Sequence, residues 1–166
     1  DWVVFRESLE QLFEENNCAS QSNTHAHQRH NIIKSVLDGR AKNVYLAKFK
    51  EHHELNRAER EDRRWTDARI LTAVLNDTAK SFFTNWQGSL RMQKQYMRNE
   101  LVMGNTKPST FIERLERLNQ LLRFFPVADP FRDPDILTEE ELINIVNNSI
   151  NGEWRCHIMR SGRRPD

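Results

Sequence analysis

At 166 residues the chain has room for one domain or two small lobes; lobes of about 80 residues would bury only about 60 to 65% of their unfolded surface and stay marginal without a neighbour. Its 37% hydrophobic and 30% charged residues, with nine Phe and four Trp, exclude long disorder. Lys and Arg number 25 against 24 acidic residues, so no global field directs it to DNA, RNA or an anionic membrane.

The pattern along the chain is helical throughout. Trp2, Phe5, Leu9, Leu12 and Phe13 recur at three- and four-residue steps, predicting a first helix with one apolar stripe. The polar stretch 16–24, NNCASQSNT, predicts a loop. A short helix is expected over Gln28 to Leu37, burying Ile32, Ile33, Val36 and Leu37, with Gly39 placed to end it. Ala41, Val44, Tyr45 and Phe49 restart a stripe, and the charged run 56–64, NRAEREDRR, reads as a solvated helix end or connection. Leu71, Val74, Leu75, Thr78, Phe82 and Trp86 form the strongest stripe of the first half, with Thr66 and Asp67 suited to its start. Gly88 and Ser89 are expected to interrupt it, which places a lobe boundary at 1–87 and 88–166. Beyond, Thr110 and Glu113 have capping-box spacing, and Phe111, Leu115, Leu118, Leu122 and Phe125 make a seam of a/d type. Pro126, Pro130 and Pro134 force an extended connection. Thr138 with Glu141 opens a helix carrying Leu142, Ile145 and Val146, and Gly152 separates it from a last helix with Trp154 and Ile158. No long period-two alternation calls for a sheet.

Few residues suggest chemistry. His25, His27 and His30 form the one metal-like cluster, but none of the six histidines has the four-residue spacing of a helical pair, so surface or loop histidines are expected. Cys18 and Cys156 match no zinc or redox spacing and read as free thiols in a reducing compartment. Asp77-Thr78-Ala79 is one residue short of an aspartic-protease signature and falls inside a strong helical stripe, whereas that Asp needs a tight turn. The five glycines are scattered, forming no phosphate cradle, and no nucleophile has a base at a recognisable spacing. A non-enzyme without cofactor or small-molecule substrate is the expectation. Arg155, Arg160, Arg163 and Arg164, with His157, make a basic end suited to nonspecific phosphate contact. Trp2, Trp65 and Trp154 exceed what two small cores readily absorb and are candidate assembly anchors. The absence of an apolar run of membrane length or a signal-peptide pattern predicts a soluble chain, and its Asp1 start and GRRPD end fit a piece of something longer.

From Gln93 to Pro126 the chain reads QKQYMRNELVMGNTKPSTFIERLERLNQLLRFFP. Tyr96, Met97 and Arg98 precede a basic, Pro-containing turn at Lys107 and Pro108; then come Phe111, Arg114, Leu115, Leu118, Asn119 and Leu122, closing on Phe125 and Pro126. An acidic, Leu-rich helix and a short segment with Trp and basic residues follow from Leu137 to Gly162. This order and spacing resembles the capsid region of retrotransposon Gag polyproteins over 93–162; before Trp86 the likeness is weak. The turn reads GNTKPS, where retroviral relatives usually carry a Gln and a Glu, so the role of those polar residues does not carry over. The resemblance implies an all-α fold of two small helical lobes, with Phe111, Arg114, Leu118, Leu122 and Pro126 as structural motif positions. Arg114 is expected to pack its stem beside the seam and pair its head with a carboxylate. It further implies a cytoplasmic, self-associating structural protein whose shells enclose RNA, captured through this chain or a flanking segment. Two other readings stay open: a host-domesticated Gag relative acting as an oligomerising or peptide-binding adaptor, and a nonspecific nucleic-acid-binding helical module.

Overall fold

The computed structural model describes residues 2–19 and 22–150, and these residues form seven α-helices and no strand. The chain is all-α. Its contacts divide it into two compact units: the chain up to Trp86 together with Phe124–Pro134, and Gln87–Arg123 together with the chain from Asp135. The chain therefore changes unit three times, at 86/87, 123/124 and 134/135, whereas a division into 1–87 and 88–166 has it change once.

In the first unit, helix α1 (Trp2–Glu15) buries Leu9 and Phe13, four residues apart and hence on one face. Helix α2 (Asn23–Val36) starts earlier than Gln28, so the histidine cluster lies on a helix and not in a loop. Val36 is 41% exposed, contrary to the expected stripe, because Leu37 takes the inward place just past the helix end. Gly39 does not end α2. It opens α3 (Gly39–Ala58), where Asp38 accepts from its N–H at 2.6 Å, and its φ of +49° turns the chain between two helices at little steric cost. Tyr45 is the buried centre of α3. The charged run is exposed from Arg57 onward and ends in a single 3₁₀ turn, Glu61–Arg63.

Helix α4 (Asp67–Phe82) is central: it buries Ile70, Leu71, Val74, Leu75 and Thr78 and packs against α2 and α3. Thr66 caps it, accepting from the Arg69 N–H at 3.4 Å, and the buried Thr78 hydroxyl donates back to the Val74 carbonyl at 2.7 Å. The core it completes joins Leu9 and Phe13 of α1, Ile33 of α2 and Tyr45 of α3, with Cys18 enclosed. Phe82 is 41% exposed. The helix stops there, and Trp86 begins α5 (Trp86–Gln95), which runs through Gly88 and Ser89 instead of being broken by them.

In the second unit α5 passes into a π turn at Tyr96–Glu100. Gly104, with φ of +55°, reverses the chain before α6 (Pro108–Leu122). Pro108 at the first helical position, not Thr110, starts α6, since a missing N–H costs nothing there. Phe111, Leu115, Asn119 and Leu122 are its buried face; Leu118 is only half-buried, and Phe125 lies beyond the helix and in the first unit. Helix α7 (Glu139–Ser149) opens with both halves of the Thr138–Glu141 capping box formed and buries Ile145.

Candidate functional site

The feature of the first unit with a chemical character is the way it holds the non-helical stretch 124–134, a series of turns and bends. Three proline rings remove helix as an option; Asp129 satisfies the N–H groups of Phe131 and Arg132 locally, and other main-chain groups find partners elsewhere. The Asn76 side chain, near the middle of α4, supplies two: its Nδ2 donates to the Val127 carbonyl at 3.0 Å and its Oδ1 accepts from the Val127 N–H at 2.9 Å. The Trp2 indole N–H donates to the Phe124 carbonyl at 3.2 Å, and Lys80 Nζ to the Ala128 carbonyl at 3.4 Å. Pro126 is buried. Two aromatic contacts add grip. Phe125 lies against Phe83 with centroids 5.5 Å apart, and Phe131 meets Trp65 edge-on at 4.8 Å, with the Arg69 guanidinium 4.3 Å from its own ring. Main-chain pairing is indifferent to side chains, while the two phenyl groups read them, so the arrangement has the chemistry of a peptide-recognition surface.

Trp65 is presented by its backbone. Asn56 at the end of α3 accepts from the Trp65 N–H at 2.6 Å and donates to its carbonyl at 3.1 Å. Arg64 folds back to donate to the carbonyls of Glu59 and Arg57. The indole is thus held in place yet 37% exposed, which suits an interface anchor. Trp2 is different: it is half-buried, tilted against Phe5 with ring centroids 5.4 Å apart and committed to Phe124. Trp154, Arg155, Arg160, Arg163 and Arg164 lie outside the described residues, as do Cys156, His157 and the helix expected there.

Among the motif positions, Phe111 and Leu122 are core of the second unit, and Pro126 belongs to the first unit. Arg114 is exposed and its guanidinium donates to the Tyr96 hydroxyl at 3.4 Å, a phenol in place of the expected carboxylate. The carboxylate pairing falls to Arg98, which bonds Glu141. The Thr138 N–H, followed by Arg98, holds the Glu141 carboxyl below its ordinary pKa.

The histidines are structural where the structure describes their contacts. His30 stacks on Phe49 at 3.9 Å and its Nδ1 lies 2.7 Å from the Tyr45 hydroxyl. Burial, then the charges of Lys34, His27 and His53, push its pKa down to about 4, so the neutral ring accepts from a phenol that burial keeps protonated. His52 pairs with Asp77 at 3.0 Å, and Lys80 takes the other oxygen at 3.4 Å. Asp77 therefore ties α3 to α4 from within a helix, without the tight turn a catalytic aspartate needs. No metal-binding group of three or more ligands occurs among the described residues, and none of their helices is long and apolar enough to cross a membrane. A shallow depression of about 460 Å³ is lined by Ala47, Lys50, Glu51, Glu54, Leu55 and Ala58, all from α3, and so encloses nothing.

Sequence reasoning passed over Asn76, and gave its counterpart Asn119 no task. Asn119 Nδ2 donates to the Leu137 carbonyl at 3.0 Å and its Oδ1 accepts from the Leu137 N–H at 2.8 Å. The available signal was an amide directly after Leu75 or Leu118 on an apolar stripe. Arg29 was also missed: it is only 4% exposed, its guanidinium sits 4.3 Å above the Phe13 ring and its Nε has no hydrogen-bond partner. Burial lowers its pKa against the opposing charge of Glu10.

Compared with family models, with curated proteins and with solved structures, the chain matches none.

Proposed function

We propose that this chain is a structural, non-catalytic protein of Gag-capsid type, whose copies associate into capsid-like particles that enclose RNA in the cytoplasm. The observation that carries the reading is the ordered run from Tyr96 through Phe111, Arg114, Asn119 and Leu122 to Pro126, followed by the acidic helix opening at Thr138. Its support from the helices is local. The apolar members Phe111, Leu115 and Leu122 face inward on α6, and Asn119 holds the start of the following segment, so the motif residues have folding tasks of the sort a repeated structural subunit requires. Many weak contacts between such subunits add up to a stable shell through multivalency.

Light scattering after size exclusion, across protein concentration and salt, with electron microscopy of the heavy fractions, tests it. Shells or defined oligomers are the expected result. A monomer at every concentration and salt overturns the assembly reading.

A second reading is favoured by the held segment 124–134: a Gag-derived adaptor whose first unit binds extended peptides. It predicts peptide binding without particles in the same experiments.

A further inference from the structure

We propose that the surface holding Phe124–Pro134 is an exchange site: the first unit of one copy docks the 124–134 segment of a second copy. This deepens the self-association reading and rests on it for the claim that exchange recurs along an assembly.

Both ends of the segment belong to the other unit. The first unit therefore grips a loop between α6 and α7, and does so through groups any copy presents: the main chain at Phe124, Val127 and Ala128, and the rings of Phe125 and Phe131. Contacts of this kind are the same within a chain and between chains; the two arrangements differ in effective concentration and in the state of the hinge.

The hinge is short and its sequence is two-natured. Helix α4 ends at Phe82 and α5 begins at Trp86, yet Thr78, Phe82 and Trp86 continue one four-residue stripe, the pattern of an uninterrupted helix. Phe83 departs from it, with φ of −117° and ψ of 68°, and its ring is the one that packs on Phe125. Exchange remakes the Phe83–Phe125 contact between copies and asks only that the short connection 83–85 change its backbone, the situation in which short hinges favour swapping.

Complementation tests this in the full chain. One copy carries Asn76→Ala, which breaks the clamp but keeps the segment. The other carries Phe125→Ala with Phe131→Ala, which breaks the segment but keeps the clamp. Circular dichroism checks that both remain helical. Each alone is expected to stay monomeric, and a one-to-one mixture to yield a species of twice the monomer mass. A mixture that stays monomeric overturns the proposal. The unmodified chain supplies an independent measurement should a variant unfold. A synthetic peptide of sequence 123–134 in excess is expected to dissociate its oligomers by filling the clamp, and oligomers indifferent to the peptide overturn exchange. The two readings fail separately: shells that survive the peptide leave the capsid reading standing without exchange, whereas complementation dimers that build no shells leave exchange standing without the capsid.

Discussion

Asn76 and Asn119 perform one task in two places, each closing a pair of hydrogen bonds on a residue outside the helices with a helical amide. The second is buried, so Asn119→Ala strands the Leu137 N–H and C=O at about 1–3 kcal/mol per group. A clear drop in the urea midpoint is expected, larger than for Asn76→Ala, whose site is partly exposed. His30 makes a pH-dependent prediction. Unfolded, its pKa is the ordinary 6.5; folded, it is about 4. Between those values the unfolded chain binds a proton that the folded one does not, so stability is retained above about pH 6.5 and is lost as pH falls toward 4. Thermal midpoints measured across that window should decline in the native chain and flatten in His30→Gln, which keeps an acceptor for Tyr45 but does not titrate. The histidine spacing held no four-residue pair, but did not show that His30 is partly buried; that follows from Tyr45 and Phe49 of α3 closing over it.

At the level of elements, cap signals were readable at two of three places, whereas at Thr110 the helix already starts two residues earlier, at Pro108. The Thr138–Glu141 capping box and the Thr66 cap both form, because each needs only residues three apart along the chain. Thr138→Ala is expected to lower stability by about 1 kcal/mol, seen as a shift in denaturant midpoint at unchanged slope. Signals with competing solutions were not readable. Gly39 is equally good after one helix or before the next, and Asp38 decides the matter by capping α3. Val36 and Phe82 fit their stripes by period but sit at helix ends, where the partner helix no longer covers them. Gly104→Ala in the α5–α6 reversal, at φ of +55°, should cost roughly 1–2 kcal/mol for placing a side chain in left-handed backbone. The space around it is open, so a larger loss would mean the reversal itself had collapsed.

For the molecule as a whole, the first unit is incomplete without residues that follow Arg123. A fragment ending at Trp86 lacks the partners of Trp2, Asn76 and Phe83, and is expected to melt below the corresponding transition of the full chain. Adding the 123–134 peptide should raise its midpoint with peptide concentration, as for any ligand of the native state. A midpoint that ignores the peptide would show the segment contributes nothing to that unit. The amino-acid order alone was enough for helical periodicity, the Thr66 and Thr138 caps and the proline breaks, since each arises from neighbours within about four residues along the chain. It was not enough for the return of 124–134 to the first unit, for the break at Phe83 or for the tasks of the two asparagines. Those depend on groups 18 to 122 positions apart finding unpaired main-chain groups or rings in space, and an unpaired group carries no mark in sequence of which distant side chain will satisfy it.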